Sequence, residues 1–414
     1  MRHASPVLLC VLLLTATVAA GTPALSPATP VQPTAQDASR PATAPIATSA
    51  NTSNYLALPG GNPQRSAFGN ASLDLGAAAA IDSARLQESF VDQTTVEAFR
   101  SAPNSSARVT VLERAADDIE NRTTAIRRYQ RRSIGEFTAG RITAETLFKR
   151  FAVVDVRARE VRNGIRTIQQ TTTGYSVPAE VDDRFDELRQ ATMLYSTDQR
   201  TSIRRALVGD RSRLDQFVST TDGGLVLAKI ARGEQTYERE AYIDGRYRQS
   251  GDDRFNDDFE NAYDFALGLY PWADENRVTS PGVVPLGVHS VYRININHAH
   301  GELVTYLDGA SADVFLEEQV KRLSVLPPGQ TVTGTNETAD LTVEANLSHP
   351  TGPMQVTVRD SVTGAAEDAR IRVDGQYVGQ TGENGRLWTL QPDASVRVEA
   401  AVGNETVSVT GVAD

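Results

Sequence analysis

One cysteine occurs in 414 residues, and it stands at position 10 inside the first apolar run. A chain that loses that run on export has no thiol, no disulfide and no thiolate metal site. Lysine is almost as scarce: Lys149, Lys229 and Lys321 are the only three, and arginine carries the remaining positive charge. The formal net charge of -11 argues against a nucleic-acid partner and against electrostatic attachment to anionic lipid. Acidity together with lysine depletion fits a protein living in concentrated salt, where a Debye length of about 3 Å screens self-repulsion. A GC-rich genome would favour arginine codons without physical purpose, but would not by itself explain the acidity. No apolar run after the first approaches the about 20 residues of a spanning helix, so no transmembrane span is expected in the mature chain. Catalytic signatures are missing too. There is no Gly-x-Ser-x-Gly and no phosphate-binding glycine loop, and His289, His298, His300 and His349 are the only histidines after position 20. Carboxylate pairs abound, but an acidic protein produces them anyway.

The N-terminus is informative. Arg2, an apolar run from Val7 to Val18 and the small residues Ala19 and Ala20 make the three-part pattern of a removable export signal. Leu8 and Leu9 precede Cys10, whereas lipid attachment wants a small residue there, and no twin arginine occurs. Sec-type export to the cell surface or medium follows as the expectation, with retention of the run as an anchor the weaker reading. The next stretch is Thr, Ala, Pro and Ser with few aromatics, a composition that cannot offset its ordering entropy by burial.

The clearest periodicity lies in residues 107–171. Leu147, Phe151, Val154, Ala158, Val161, Ile165 and Ile168 step by 4, 3, 4, 3, 4 and 3, a heptad seam on one helix face. Leu112, Ala115, Ile119, Ile126 and Tyr129 repeat the pattern upstream. Ala139-Gly140 reads as a stop and Thr143 as the next N-cap, so the two form an antiparallel helical hairpin. Further helices are expected at Ala77–Phe90 and after Pro178. Beyond residue 218 the pattern changes: Leu225–Ile230 and Tyr237–Ile243 read as a hairpin, Phe255–Leu269 as a helix, and Val291–Asn297 with Glu302–Tyr306 as two more strands. From Leu341 onward, six short strands alternate with turn signals such as Thr363-Gly364 and Asn384-Gly385, the rhythm of a β-sandwich. The expected fold class is therefore multidomain: an α-helical hairpin or bundle, then a small α+β domain with an antiparallel sheet, then a C-terminal β-sandwich. The expected layout is a leader at 1–20, a disordered linker at 21–75, the bundle at 76–210, the α+β domain at 218–325, a second linker at 326–340 and the sandwich at 341–414.

Val356–Gly364, then Ala369–Gly375, then Thr381–Arg386 resembles the carboxypeptidase-regulatory-like, Ig-like sandwich, with Gly382-Glu383 departing from the usual Asp before the Asn-Gly turn. That resemblance implies an adhesive or spacing module without catalytic residues. Phe259–Glu318, with Gly301-Glu-Leu-Val-Thr-Tyr-Leu-Asp308, is similar to PepSY modules, which implies a regulator of an exported protease. The whole layout resembles secreted proteins of halophilic archaea, a likeness that brings no activity with it.

His298 and His300, two apart, could share a strand face and one metal with Glu302 and His289. They also sit at a predicted turn, where polar residues are expected, and the reading here is no metal and no cofactor. Asp252, Asp253, Asp257, Asp258 and Glu260 lack the EF-hand glycine and read as a solvated helix start. Candidate glycosylation positions are Asn51, Asn70, Asn104, Asn336, Asn346 and Asn404, with Asn336 in the second linker the most accessible; Asn121, inside a predicted helix, is the least convincing. The functional expectation is a non-enzymatic exported or surface protein with an unknown protein or surface component as partner. A PepSY-like regulator is the alternative, and a metal-dependent hydrolase on the two strand histidines the third.

Overall fold

A computed structural model describes residues 55–412, apart from 61–62, 232, 234, 249–250, 281, 287–289, 328 and 337–339. The leader, Cys10, Asn51, His289 and most of the first linker lie outside the described residues. The helices begin where short polar side chains can take up orphan amides. Asp74, Asn104 and Thr143 accept from the amides of Ala77, Ala107 and Thr146 to open α1 (Leu75–Ser101), α2 (Ser105–Thr138) and α3 (Ala144–Thr172). Gly140, at φ +74°, makes the left-handed stop between α2 and α3. All seven seam residues of α3 are at most 2% exposed, and they pack inside this chain against α1 and α2. Two further helices complete the bundle, α4 (Ala179–Ala191) and α5 (Asp198–Leu207).

The strands build an eight-stranded antiparallel sheet. In chain order they are β1 (Arg65–Ala71), β2 (Leu214–Thr221), β3 (Gly224–Ala231), β4 (Thr236–Ile243), β5 (Gly282–Pro285), β6 (Val291–His298), β7 (Gly301–Asp308) and β8 (Asp313–Arg322). Their spatial order is β1-β2-β3-β4-β8-β7-β6-β5. Strand side chains alternate between faces, and both faces are covered. One shares a core with the bundle through Leu225, Leu227, Tyr242 and Leu316. The other packs under α6 (Phe259–Leu269), α7 (Pro271–Glu275) and the segment at Leu56 and Leu58. The helical and sheet parts are thus halves of one packed body, and the described residues all belong to one compact unit.

The C-terminal part is a sandwich of two four-stranded antiparallel sheets with its own core. Its strands are β9 (Gln330–Asn336), β10 (Leu341–Leu347), β11 (Pro353–Asp360), β12 (Arg370–Val373), β13 (Gln376–Gln380), β14 (Arg386–Leu390), β15 (Ser395–Val402) and β16 (Glu405–Val412). The sheet orders are β14-β11-β10-β9 and β13-β12-β15-β16.

Both expected linkers need correction. β1 occupies part of the stretch read as disordered, paired residue for residue with β2. β9 occupies the middle of the second linker and pairs with β10. Each is a polar edge strand, which needs no apolar face of its own because its partner supplies the ladder. Threonine suits a linker and a strand equally. At Gly334 a Cβ would lie 2.4 Å from the Ser408 carbonyl oxygen, so the glycine lets β9 close against β16. Asn336 is correspondingly part of the sandwich, its side-chain amide donating to the Thr406 carbonyl at 2.8 Å.

Candidate functional site

Chemistry-bearing side chains concentrate where the sheet, the segment after the first linker and the sandwich meet. β4 and β8 are antiparallel neighbours with Tyr237 opposite Lys321 and Arg239 opposite Gln319. Alternation puts Tyr237, Arg239, Glu317, Gln319 and Lys321 on one face, and all five are 0–2% exposed. The Arg239 guanidinium donates to Glu317 at 2.6 Å and to the Leu56 carbonyl at 2.6 Å. Glu317 also accepts from the Leu56 amide at 2.6 Å, the Tyr270 hydroxyl at 2.8 Å and the Gln319 amide at 3.0 Å. Burial pushes the Glu317 carboxyl up, and Arg239 with these donors acts against that. The sandwich reaches in through the turn before β11. The Tyr237 hydroxyl donates to the Thr351 carbonyl at 2.9 Å. His349 stacks on Tyr55 with ring centroids 3.9 Å apart, and Arg239 lies 5.3 Å from the same tyrosine ring.

Lys321 is the unmatched member. Its ammonium has no hydrogen-bond partner among the described residues and lies 5.8 Å from the Tyr237 ring. Burial, opposed by Glu317 and reinforced by Arg239, brings its pKa down to about 7. Three histidines feel its charge. His298 is pushed down to about 3, chiefly by burial and then by Lys321. His300 is lowered, and His349 lies well below the ordinary imidazole value, with burial first in both. Burial thus favours the uncharged form of the lysine and of all three imidazoles, while Arg239 and Glu317 are ion-paired at 2.6 Å.

The two strand histidines are brought together against one tryptophan. Trp272 takes both rings, at 5.5 Å from His298 and 4.3 Å from His300, and the two imidazoles stand 6.2 Å apart. The His298 Nδ1 accepts from the His300 amide, and Glu302 pairs with Asn295 at 2.7 Å. No group of three His, Cys, Asp or Glu arranged to hold a metal occurs among the described residues. The acidic cluster organises local backbone. Asp258 caps α6 through the Glu260 and Asn261 amides, and Asp253 accepts from the Phe255 and Asp257 amides and the Tyr292 hydroxyl. Among the candidate sequons, Asn70 lies on β1 opposite Asp215 of β2, Asn104 caps α2, Asn346 lies on β10, and Asn404 is exposed at the tip of the β15–β16 hairpin.

The junction residues Tyr55, Arg239, Glu317, Lys321 and His349 were not foreseen from sequence. The available signal was one of the chain's three lysines, and charge alternating inside otherwise apolar strands.

Three family models match consecutive stretches of the chain. A domain of unknown function, DUF7096, covers residues 1–212; a family of unknown function, DUF7094, covers 216–327; an archaeal fibronectin-III type-like domain covers 326–409. No curated protein and no solved structure matches. The Ig-like character of the C-terminal sandwich stands, with the fibronectin-III type-like family in place of the carboxypeptidase-regulatory-like one. The PepSY-like stretch falls inside the DUF7094 match. No helix among the described residues is long and apolar enough to cross a membrane.

Proposed function

The chain belongs to the DUF7096 family, and from that premise we propose a non-enzymatic exported or cell-surface protein of a salt-loving archaeon. It acts as a rigid spacer that presents a fibronectin-III type-like module to a protein or surface component. One observation carries the reading: the groups best suited to acid–base or nucleophilic work are used as mortar. Lys321, His298, His300 and His349 are at most 9% exposed; Lys321 and His349 sit where the post-linker segment, the sheet and the sandwich interlock, and His298 and His300 are packed against Trp272. Tyr55 and Leu56 are held inside that junction, so a load on the chain there is shared by the whole body. Asn104 and Asn404, both exposed, are among the positions we assign to glycans.

Two measurements test this. N-terminal sequencing of protein from the native host should find a start after Ala20 in the surface or medium fraction; a cytosolic chain starting at Met1 overturns export. Limited proteolysis at molar salt should leave a core from about residue 55 through the sandwich, whereas early cutting near 326–330 that frees the sandwich overturns the rigid body. A second reading, regulation of an exported protease, draws on α6, which lies across β5, β6 and β7 with Phe259 and Phe265 40–45% exposed. Assays against co-secreted proteases decide it, and lack of any effect removes it.

A further inference from the structure

On the sheet β14-β11-β10-β9, the pairing sets Trp388 opposite Gln355, Gln355 opposite Asn346, and Asn346 opposite Thr331. The next outward row is Arg386, Thr357, Glu344 and Thr333. Alternation places these rows on the face away from the sandwich core, whose inward residues include Val356, Ala345 and Leu387. Ile230 and Gln235 of the body, with Leu323 to Pro327 after β8, wall this face into two adjoining clefts of about 370 and 360 Å³ that share Leu323, Gln355, Arg386 and Trp388. Those volumes lie within the range of small-ligand sites.

The lining is chemically selective. Trp388 is half-buried, so an indole face remains for an apolar ring surface. The Gln355 and Arg386 side chains make no hydrogen bond or ion pair among the described residues. The Asn346 carbonyl accepts from the Thr331 hydroxyl at 2.5 Å. Flat amide and guanidinium groups offer donors and acceptors at fixed spacing, matched to neighbouring hydroxyls that both donate and accept. Arg386 is the only charged side chain that lines either cleft, and Glu344 stands in its row outside them. The rows cross strand faces, where no backbone ladder is open for an extended peptide to join.

We propose that this cleft binds a saccharide, with Trp388 beneath a sugar ring and Gln355 and Arg386 reading its hydroxyls. Two sources supply that chemistry: a glycan of the surface partner, or a glycan on this chain itself, since Asn346-Leu347-Ser348 is a sequon on the cleft floor. The inference rests on the rigid junction proposed above, because the body contributes part of the wall.

The Trp272→Phe variant leaves Trp388 as the only tryptophan and its fluorescence as the readout. Unglycosylated protein from a bacterial host is titrated with mannohexaose, chitohexaose and laminarihexaose. A saturable emission change, weakened about tenfold in Arg386→Ala and in Gln355→Ala, establishes an outside glycan as ligand; both variants keep the indole, so a Trp388→Ala variant that fails to fold costs nothing. Protein from the native host is compared with Ser348→Ala, which removes the sequon but keeps the Asn346 amide. An emission difference between these two, with added sugar binding only to Ser348→Ala, establishes the chain's own glycan. No response to any oligosaccharide and no difference in native-host protein overturns the proposal. Limited proteolysis of the same samples separates the failures: an intact core with no sugar response sinks the saccharide alone, and a released sandwich sinks the rigid junction first.

Discussion

The two faces of the eight-stranded sheet solve the same problem with opposite charge. Facing the bundle, Glu240 accepts from the Arg200 guanidinium at 2.6 and 3.0 Å and from Thr197 at 2.5 Å, and Arg200 reaches Gln130 at 2.5 Å. Both partners of that pair are fully buried. Facing the sandwich, Arg239 and Glu317 form an equally closed pair. Each face then carries one surplus charge on the same strand, β8. On the bundle face it is an acid, Glu318, pushed up to about 8 by burial and then by Glu240 and Asp198. On the junction face it is the base Lys321, brought down to about 7. A buried charge is tolerated when paired and hydrogen-bonded; what cannot be paired here is neutralised by giving up or taking a proton. Covering a sheet on both sides thus leaves a pH signature of opposite sign on each side.

The largest break in this symmetry comes from halving a pair. Glu317→Ala leaves Arg239 buried without its carboxylate and deprives Tyr270 and the Leu56 amide of an acceptor. A loss of about 3–5 kcal/mol is expected, read by denaturant unfolding at molar salt, together with faster proteolysis around residues 55–58 and 326–330. Arg200→Met should cost a similar amount without loosening the sandwich. Equal loosening by both would mean that the faces are not independent.

Removing the surplus base should do the reverse. The folded pKa of Lys321 lies below its ordinary value of 10.5, so the unfolded chain holds a proton that the folded chain gives up between about pH 7 and 10.5. The penalty is full below pH 7 and fades as pH rises to 10.5. Lys321→Met keeps the length and discards the charge. It should stabilise by an amount on the order of 4 kcal/mol at most below pH 7, with the gain shrinking toward pH 10.5. A gain that stays flat across that window would show that the side chain's packing, not its charge, is what costs.

What was legible follows the same division. The α3 seam could be read because seven apolar residues repeat at heptad spacing and all are buried, and β3 with β4 because an apolar pair brackets a turn. The charged rows of β4 and β8 could not. Alternating Arg239 and Glu317 look like a solvent face to a pattern reading, and only a third module folded back on the sheet makes them interior. α5 escaped for the same reason, since its fully buried side chains include Arg200. β1 and β9 escaped because polar edge strands borrow their ladder from a neighbour. His349 and Tyr55, 294 residues apart in sequence, carry no local signal of their stacking.

The smallest effect sharpens the comparison most. The folded pKa of Glu318, about 8, lies above its ordinary 4.5, so folding takes up a proton between those values and the penalty grows as pH rises from 4.5 to 8. Glu318→Gln keeps the shape and removes the titration, so it should stabilise near pH 8 and be neutral near pH 4.5, the mirror of Lys321→Met. The gain should be the smaller of the two, because Glu318 is only partly buried as a residue whereas Lys321 is fully enclosed. The side chains point to opposite faces and share no hydrogen-bond partner, so the double variant should add to within about 0.5 kcal/mol. Its stability should vary least with pH between 4.5 and 10.5. A coupling well beyond that, read by a double-mutant cycle at pH 7, would mean that proton uptake at one face is felt at the other, and that the sheet transmits charge between its covering modules instead of insulating them.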